Sequence, residues 1–385
     1  MTSLPDVLDI LSEMIRCDSR NLIPLDSGNA PAGVEYEMSR IVEHHLGTLG
    51  FTIEEQFVAP QRPNIIAFRS CGVPNAPVLG FNAHLDTVGT DNMEIPPFLP
   101  EVRDGKIFGR GSCDTKASLA TMLKAAEVII AEKLPVDLLY VATVAEETGT
   151  EGSALLDLSY VRCNGFFIGE PTSNRPVVFH KNHCTVHFAT SGRAAHGSRP
   201  ELGDNAVVKA ARLVTWLDEV QRPAIEAIQD PHFERGCTFS VNVIRGGAKC
   251  NIIPDSCIVE CDARLLPSVS DPHAFFQSIA TEATRTLGFP VTIAYEHIAH
   301  AMATPLDNPF VQAVRDAVSF CKGDNSPLSV AYGTDGGNLS ARGFPCVVLG
   351  PGDIAHAHAA IEYCPIAELY QAIEIYTQTA RTLVI

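Results

Sequence analysis

Apolar residues recur at helical spacing over residues 5–17 (Pro-Asp-Val-Leu-Asp-Ile-Leu-Ser-Glu-Met-Ile-Arg-Cys), with Pro5 and Asp6 suited to a first turn. A second amphipathic helix is predicted over 34–49. Short apolar runs follow at 64–68, 78–83 and 138–145, too short for helices and bounded by polar residues. These read as buried strands, and 115–132, between the last two, reads as a helix. Strand, helix, strand is the pattern of a mostly parallel sheet covered on both faces. The predicted fold class is therefore α/β, a mostly parallel mixed sheet with helices on both faces.

The pattern changes near residue 178. Segments 183–190, 237–244 and 257–264 alternate polar and apolar residues, as half-exposed antiparallel strands do. Helical stretches are predicted at 205–220 and 271–287. The α/β pattern returns after about 297, with a helix at 308–321, a strand at 345–349 and a terminal helix at 366–382. The simplest organisation is one domain formed by 1–177 and 297–385, with an α+β domain, 178–296, inserted into it.

Composition narrows the function classes. The chain has 385 residues, 46% of them apolar and 19% charged, enough for a large core and for two domains. The formal net charge of -17 argues against nucleic acid and against an anionic membrane surface, both of which need a basic face. The twelve Cys are scattered and form no CxxC pair, so neither a zinc ribbon nor a small disulfide framework is expected. No apolar run reaches the ~18–20 residues that span a bilayer. With a polar start that lacks a cationic segment and an apolar stretch, this leads to the expectation of a cytoplasmic protein.

The candidate chemistry lies just beyond the predicted strands, where open α/β sheets keep their sites. His84 and Asp86 follow 78–83; Asp86 could hold the imidazole tautomer while the other ring nitrogen meets a metal. Taken alone, a histidine merely satisfied at a strand end is the favoured reading. Asp114, after Gly109-Arg-Gly-Ser-Cys, precedes a helix whose N-terminus favours an anion. Glu146 and Glu147 end the run 138–145, where paired carboxylates are costly unless positive charge lies nearby. One could bind metal while the other moves a proton. Glu170 again follows an apolar run, and either His356 or His358 follows the strand 345–349. Histidines and carboxylates converging on one sheet edge suit a pair of zinc ions, or cobalt or manganese. Two metals about 3.5–4 Å apart polarise a carbonyl and acidify water.

The motifs HLDTV, GRGSCDTKA, the Glu-Glu pair, GEPT, SGRAAHGSRPELGDNA, GGAKCNIIPDS…DARLLP and GPG…HAAIEY occur in this order over essentially the whole chain. In this arrangement the chain resembles the two-zinc exopeptidases and deacylases that include acetylornithine deacetylase, succinyl-diaminopimelate desuccinylase, glutamate carboxypeptidase and aminoacylase. The resemblance implies that Asp114 bridges two metals, that His84 and Glu170 complete one site, and that Glu147 and His358 complete the other. It implies Glu146 as general base and later proton donor, and Asp86 as the residue orienting His84. His358 rather than His356 is implied by its spacing from Gly352 and Glu362. The insert resembles the family's dimerisation or lid domain, in which His196 would reach a neighbouring subunit's site and stabilise an oxyanion. Asn251 and Arg264 match positions that contact the substrate's polar end, and Arg264 could pair with a carboxylate. A homodimer is thus expected.

The activity implied is hydrolysis of the amide bond of an N-acyl amino acid, with N-acetylornithine, a precursor in arginine biosynthesis, the first choice. The net negative charge would suit such a cationic substrate. Succinyl-diaminopimelate desuccinylase and dipeptidase or glutamate carboxypeptidase activities are the alternatives within the class. A binding protein that had lost turnover should lack Glu146 or a ligand, and none is missing. Ala117 and Asn182 stand where glycine is commoner in the family, and the stretch Tyr332-Gly-Thr-Asp-Gly-Gly337 leaves substrate choice open.

Overall fold

A computed structural model of the protein describes residues 3–22 and 34–383. The chain divides into two compact units, one comprising residues 1–179, 302–329 and 334–385, the other 180–301 and 330–333.

The first unit is an α/β structure on a nine-stranded mixed sheet. Its strands run in the order Thr52–Ala59, Arg62–Arg69, Asp137–Thr143, Val78–His84, Gly165–Ile168, Cys346–Val348, Val177–His180 and Met302–Ala303, and Leu328–Val330 pairs with Val177–His180. The four central strands from Asp137–Thr143 to Cys346–Val348 are mutually parallel; Thr52–Ala59 pairs antiparallel with Arg62–Arg69, Arg62–Arg69 with Asp137–Thr143, and Val177–His180 with Cys346–Val348. All four are apolar and buried, as strands covered on both faces must be.

Alternation along these strands separates two faces. Leu79, Phe81 and Ala83, with Leu138, Tyr140, Ala142, Phe167 and Val347, enter one core cluster. The helices Val7–Arg16, Lys116–Ala131, Pro309–Lys322 and Ile366–Thr382 pack there against one another, and Lys116–Ala131 lies on Val78–His84. Phe81 stacks on Phe167, and Tyr376 meets both edge-on. Each such buried aromatic contributes about 1.5–3 kcal/mol. The buried Tyr140 and Tyr376 hydroxyls donate to the carbonyls of Leu119 (2.9 Å) and Leu349 (2.8 Å), so burial costs no hydrogen bond. On the other face Thr143 and Ile168 meet the short helix Asp335–Ala341, and Asn82 donates to the Thr143 hydroxyl (3.2 Å).

The second unit is a four-stranded antiparallel sheet, ordered Thr238–Gly246, Ser256–Leu265, Asn182–Ser191, Val291–Ala299. Along Asn182–Ser191 buried and half-buried residues alternate strictly, which is the sign of one covered face. The helices Ala206–Trp216 and Pro272–Leu287 pack on this sheet. Asn205 and Asp271 cap them, each accepting backbone N–H bonds in the first turn. His196 lies in a separate two-stranded ribbon, Ala195–His196 with Ile252–Ile253.

Several elements differ from expectation. The strand expected to run to residue 145 stops at Thr143, because Ala145 adopts a left-handed conformation (φ 57°) that turns the chain before Glu146. The helix expected over 205–220 is α-helical only to Trp216 and widens to a π turn over Leu217–Gln221. Residues 335–341 form a helix in spite of Gly336 and Gly337, because Thr334 caps it by accepting the Gly336 N–H (3.1 Å). The strand Val291–Ala299 was also not predicted; its outer residues are too polar to stand out.

One buried ion pair supports the turn at Ala145. Glu35 and Arg62 are both fully buried; the Glu35 carboxylate accepts from Arg62 Nε (2.6 Å) and Nη2 and from the Ala145 N–H (3.2 Å). Removing one partner strands a charge in a place water cannot reach. Arg62→Met is therefore expected to lower stability by about 3–5 kcal/mol, read from urea denaturation. A change below 1 kcal/mol would show that Glu35 is accommodated without its partner.

Candidate metal centre

The four parallel strands end along one edge, and the acidic and imidazole side chains follow directly. His84 is the last residue of its strand. Glu146 and Glu147 follow the turn at Ala145, and Glu170 stands two residues beyond Ile168. Gly169, between them, donates its N–H to the Asn82 carbonyl (2.7 Å), and a Cβ there would lie 2.5 Å from Ser118. Glycine thus lets the helix Lys116–Ala131 approach, and Asp114 immediately precedes that helix. His358 takes a left-handed conformation (φ 58°), with its carbonyl held by Asn92 Nδ2 (3.0 Å). Such a backbone costs about 1–3 kcal/mol unless the surroundings fix it.

Asp114 lies at the middle. Its Oδ1 is 3.0 Å from His84 Nε2, and its Oδ2 is 3.3 Å from His358 Nε2. His84 Nε2 is also 3.8 Å from Glu170, and His358 Nε2 is 3.0 Å from Glu147. His84 Nδ1 donates to the Asp86 carbonyl (3.0 Å) and lies 3.4 Å from the Asp86 carboxylate, which turns Nε2 toward Asp114. Two sets, His84–Asp114–Glu147 and His84–Glu146–Glu170, bring ligand atoms within 4.8 Å of one another. Glu146 keeps partial exposure, and the His358 side chain is 52% exposed, so the cluster opens on one side.

The electrostatics are those of anions short of cations. Burial and the charge of Glu170 push the Glu146 carboxyl well above the usual range, and burial with Asp114 does the same to Glu170. Glu147 is pushed up to about 7 by burial and by Asp114. Burial opposes ionisation of Asp114, yet hydrogen bonds from His358 and His84 outweigh it and hold its carboxyl below the usual range. In the same way Asp114 and Glu147 push His358 up to about 10. Glu147 Oε1 is buried with no hydrogen-bond partner. A buried, unpartnered carboxylate oxygen among imidazole nitrogens and other carboxylates fits a divalent cation, and this donor set suits zinc, cobalt or manganese.

A second layer braces these groups. The Asp86 carboxylate accepts the N–H groups of Glu146 (3.2 Å) and Glu147 (3.1 Å) and Asn21 Nδ2 (3.2 Å), so it holds the Glu-Glu turn as well as His84. Glu362 is fully buried; its Oε1 accepts the N–H groups of Cys113 (2.9 Å) and Asp114 (3.0 Å), and its Oε2 pairs with Arg110 (2.6 Å). Arg110 in turn donates to the Gly89 carbonyl (2.8 Å). The loops bearing Asp114 and His358 are thereby tied together. His356 does not join the cluster: its Nε2 bonds the Tyr363 hydroxyl (2.6 Å).

The remaining predicted residues belong to the second unit. His196 is exposed; its Nδ1 lies 3.2 Å from the Ser198 N–H and 2.8 Å from the Ser198 hydroxyl. Asn251 is exposed too, and its carbonyl accepts the Gly197 N–H (2.7 Å). Arg264 is half-buried against Asp262 (3.2 Å). His183 approaches the same Asp262 (3.2 Å), as one histidine of an ordinary strand.

The sequence profile of peptidase family M20/M25/M40 matches residues 80–382, a span that includes His84, Asp114, Glu146, Glu147, Glu170 and His358. The chain belongs to this family. Its members are metal-dependent hydrolases, and the cluster at the strand ends is its candidate dinuclear site. An acetylornithine deacetylase from Myxococcus xanthus is 28% identical over 376 residues, covering 95% of this chain and 94% of that protein. A protein from Staphylococcus epidermidis, named a probable succinyl-diaminopimelate desuccinylase, is 29% identical over 356 residues, covering 83% and 86%. Among solved structures, an aminopeptidase from Bacillus cereus superposes with a TM-score of 0.75 at 19% identity, covering 98% of each chain, which establishes the shared fold. Among the described residues no helix is long and apolar enough to cross a membrane, and all twelve cysteines are unpaired thiols.

Sequence reasoning missed Asn21, Arg110, Asp335 and the bracing part of Glu362. None has a local signature; Arg110 and Glu362 meet across 252 positions. Glu362→Gln, which leaves Arg110 without a carboxylate, is expected to weaken divalent-cation binding about 10- to 100-fold, as loss of a group behind a ligand does. Competition with a metallochromic chelator measures this. Unchanged affinity would show that Glu362 is only a fold contact.

Proposed function

We propose that the protein hydrolyses the amide bond of an N-acyl amino acid, with N-acetylornithine the preferred substrate. The observation that carries this is the arrangement about Asp114, whose two oxygens face two imidazoles, each flanked by a further glutamate. His84, Asp114 and Glu170 would hold one zinc ion, and Asp114, Glu147 and His358 a second. Charge favours two ions over one. Asp86, Asp114, Glu146, Glu147 and Glu170 would bring five negative charges into one buried cluster, more than a single divalent ion offsets. When bound, the ions polarise the acyl carbonyl and make water a nucleophile near neutral pH.

The chain's own groups do the rest. Glu146 stands beside this cluster with a carboxyl raised by burial, the condition for a group that must both take and return a proton. It takes the proton of the attacking water and delivers it to the leaving amine nitrogen. Asp86 fixes the His84 tautomer and, through the Glu146 N–H, the place of the base itself. His196 of a neighbouring subunit donates from Nε2 to the carbonyl oxygen as charge develops there. The Ser198 N–H beside its Nδ1 favours that tautomer. Arg264 and Asn251 bind the polar end of the amino acid, and the second unit serves dimerisation, so the active form is a homodimer.

The Myxococcus relative supports acetylornithine, aligned over nearly the full length of both chains. The Staphylococcus relative supports a second reading, removal of succinyl from succinyl-diaminopimelate, at similar identity but lower coverage. A release assay with acetylornithine, acetylmethionine, acetylcitrulline and succinyl-diaminopimelate decides between them. The highest kcat/KM is expected on acetylornithine; a preference for the succinyl substrate would favour the second reading. Glu146→Gln is expected to cut kcat about 100- to 10,000-fold, the usual contribution of a positioned acid–base group. His196→Ala should cost about 100-fold or more, as loss of one oxyanion donor does. Parent-like turnover in either variant would remove that residue from the mechanism.

A further inference from the structure

Behind the metal centre lies a carboxyl group to which the proposed reaction gives no part. Asp335 opens the helix Asp335–Ala341 and is 1% exposed. The Thr143 hydroxyl donates to its Oδ2 and itself accepts from Asn82 Nδ2 (3.2 Å). Asp335 Oδ1 is buried, and Ser153 lies against the carboxyl. The Ser153 hydroxyl bonds the Thr150 carbonyl (3.0 Å), and Asn338 Nδ2 donates to Ser153 Oγ (2.8 Å).

Its position relative to the site follows from the sheet. Thr143 is the parallel-strand partner of His84, and its carbonyl accepts the Leu85 N–H (2.7 Å). Three residues further on the chain reaches Glu146. Asp335 is thus fastened under the strand ends that carry His84 and the Glu-Glu turn. Burial pushes its own carboxyl up to about 6, and Gly336, the next residue, packs against Ile168 (a Cβ on it would lie 3.0 Å away), two residues before Glu170. A hydrogen-bonded carboxylate inside a protein acts well beyond contact distance, because little water screens it. Such a charge repels its neighbours when they are bare and attracts any cation placed among them. The two effects are one interaction seen from two states of the site.

We propose that Asp335 is a positioning residue of the metal centre: held by Thr143, it adds a fixed negative charge behind His84 and Glu170 that tightens divalent-cation binding and strains the metal-free protein. This rests on the reading of the cluster as a metal centre. A residue that only filled space or capped a helix would not trade stability for metal affinity in this way.

Asp335→Asn tests it, since the amide keeps the shape and an acceptor for Thr143 but removes the charge. Zinc binding to the full-length parent and variant is measured by chelator competition, and the metal-stripped proteins are melted in parallel. The variant is expected to bind zinc about tenfold or more weakly, as changes just outside the ligands do, while its metal-stripped form melts at or above the parent's temperature. Parent-like zinc affinity, or a metal-stripped variant that melts lower or does not fold, would overturn the proposal and leave Asp335 a fold contact. A parent that binds no zinc would instead overturn the metal-centre reading on which it depends.

Discussion

Six carboxyl groups, those of Asp86, Asp114, Glu146, Glu147, Glu170 and Asp335, crowd the carboxyl edge of one sheet, and their mutual repulsion is the constraint around which this part of the molecule is built. Buried like charges are expensive, and each raises the cost of ionising the next. Two imidazoles offset part of that charge, His84 with Asp114 and Asp86, and His358 with Asp114 and Glu147. The remainder is what a metal-dependent hydrolase of this family would balance with cations.

Holding such a cluster together requires the surroundings to be over-determined, and they are. The Asp86 carboxylate is saturated by two backbone N–H groups and Asn21. Two buried ion pairs act from opposite sides. Glu35 with Arg62 grips the Ala145 turn that precedes the Glu-Glu pair. Glu362 with Arg110 grips the backbone of Asp114. The left-handed residues Ala145 and His358 sit where these clamps act. Strain at a site persists only where neighbours enforce it, and here the enforcing bonds can be named.

Much of this was legible in the order of residues, for a physical reason. A parallel sheet demands apolar strands, and side chains that follow such strands emerge at one edge, so His84, Glu146, Glu147 and Glu170 could be grouped from periodicity alone. The mixed α/β architecture and its principal helices followed from the same periods. What stayed hidden were pairings between distant segments. Nothing near Arg62 points to Glu35, and nothing near Arg110 points to Glu362, because the partners are set by packing rather than by spacing. Asp335 was masked differently: Gly336 and Gly337 argue against a helix, and only Thr334, a strong N-cap residue, hinted at one.

The central claim is that this carboxylate cluster exists to hold a pair of divalent ions. Metal analysis of the purified protein by inductively coupled plasma mass spectrometry, after dialysis against zinc and removal of loosely bound ions, tests it most directly. The account predicts two ions per chain, falling to one or fewer when Asp114, whose two oxygens face both imidazoles, is replaced by alanine. Fewer than two ions in the parent, or two ions retained by Asp114→Ala, would contradict it.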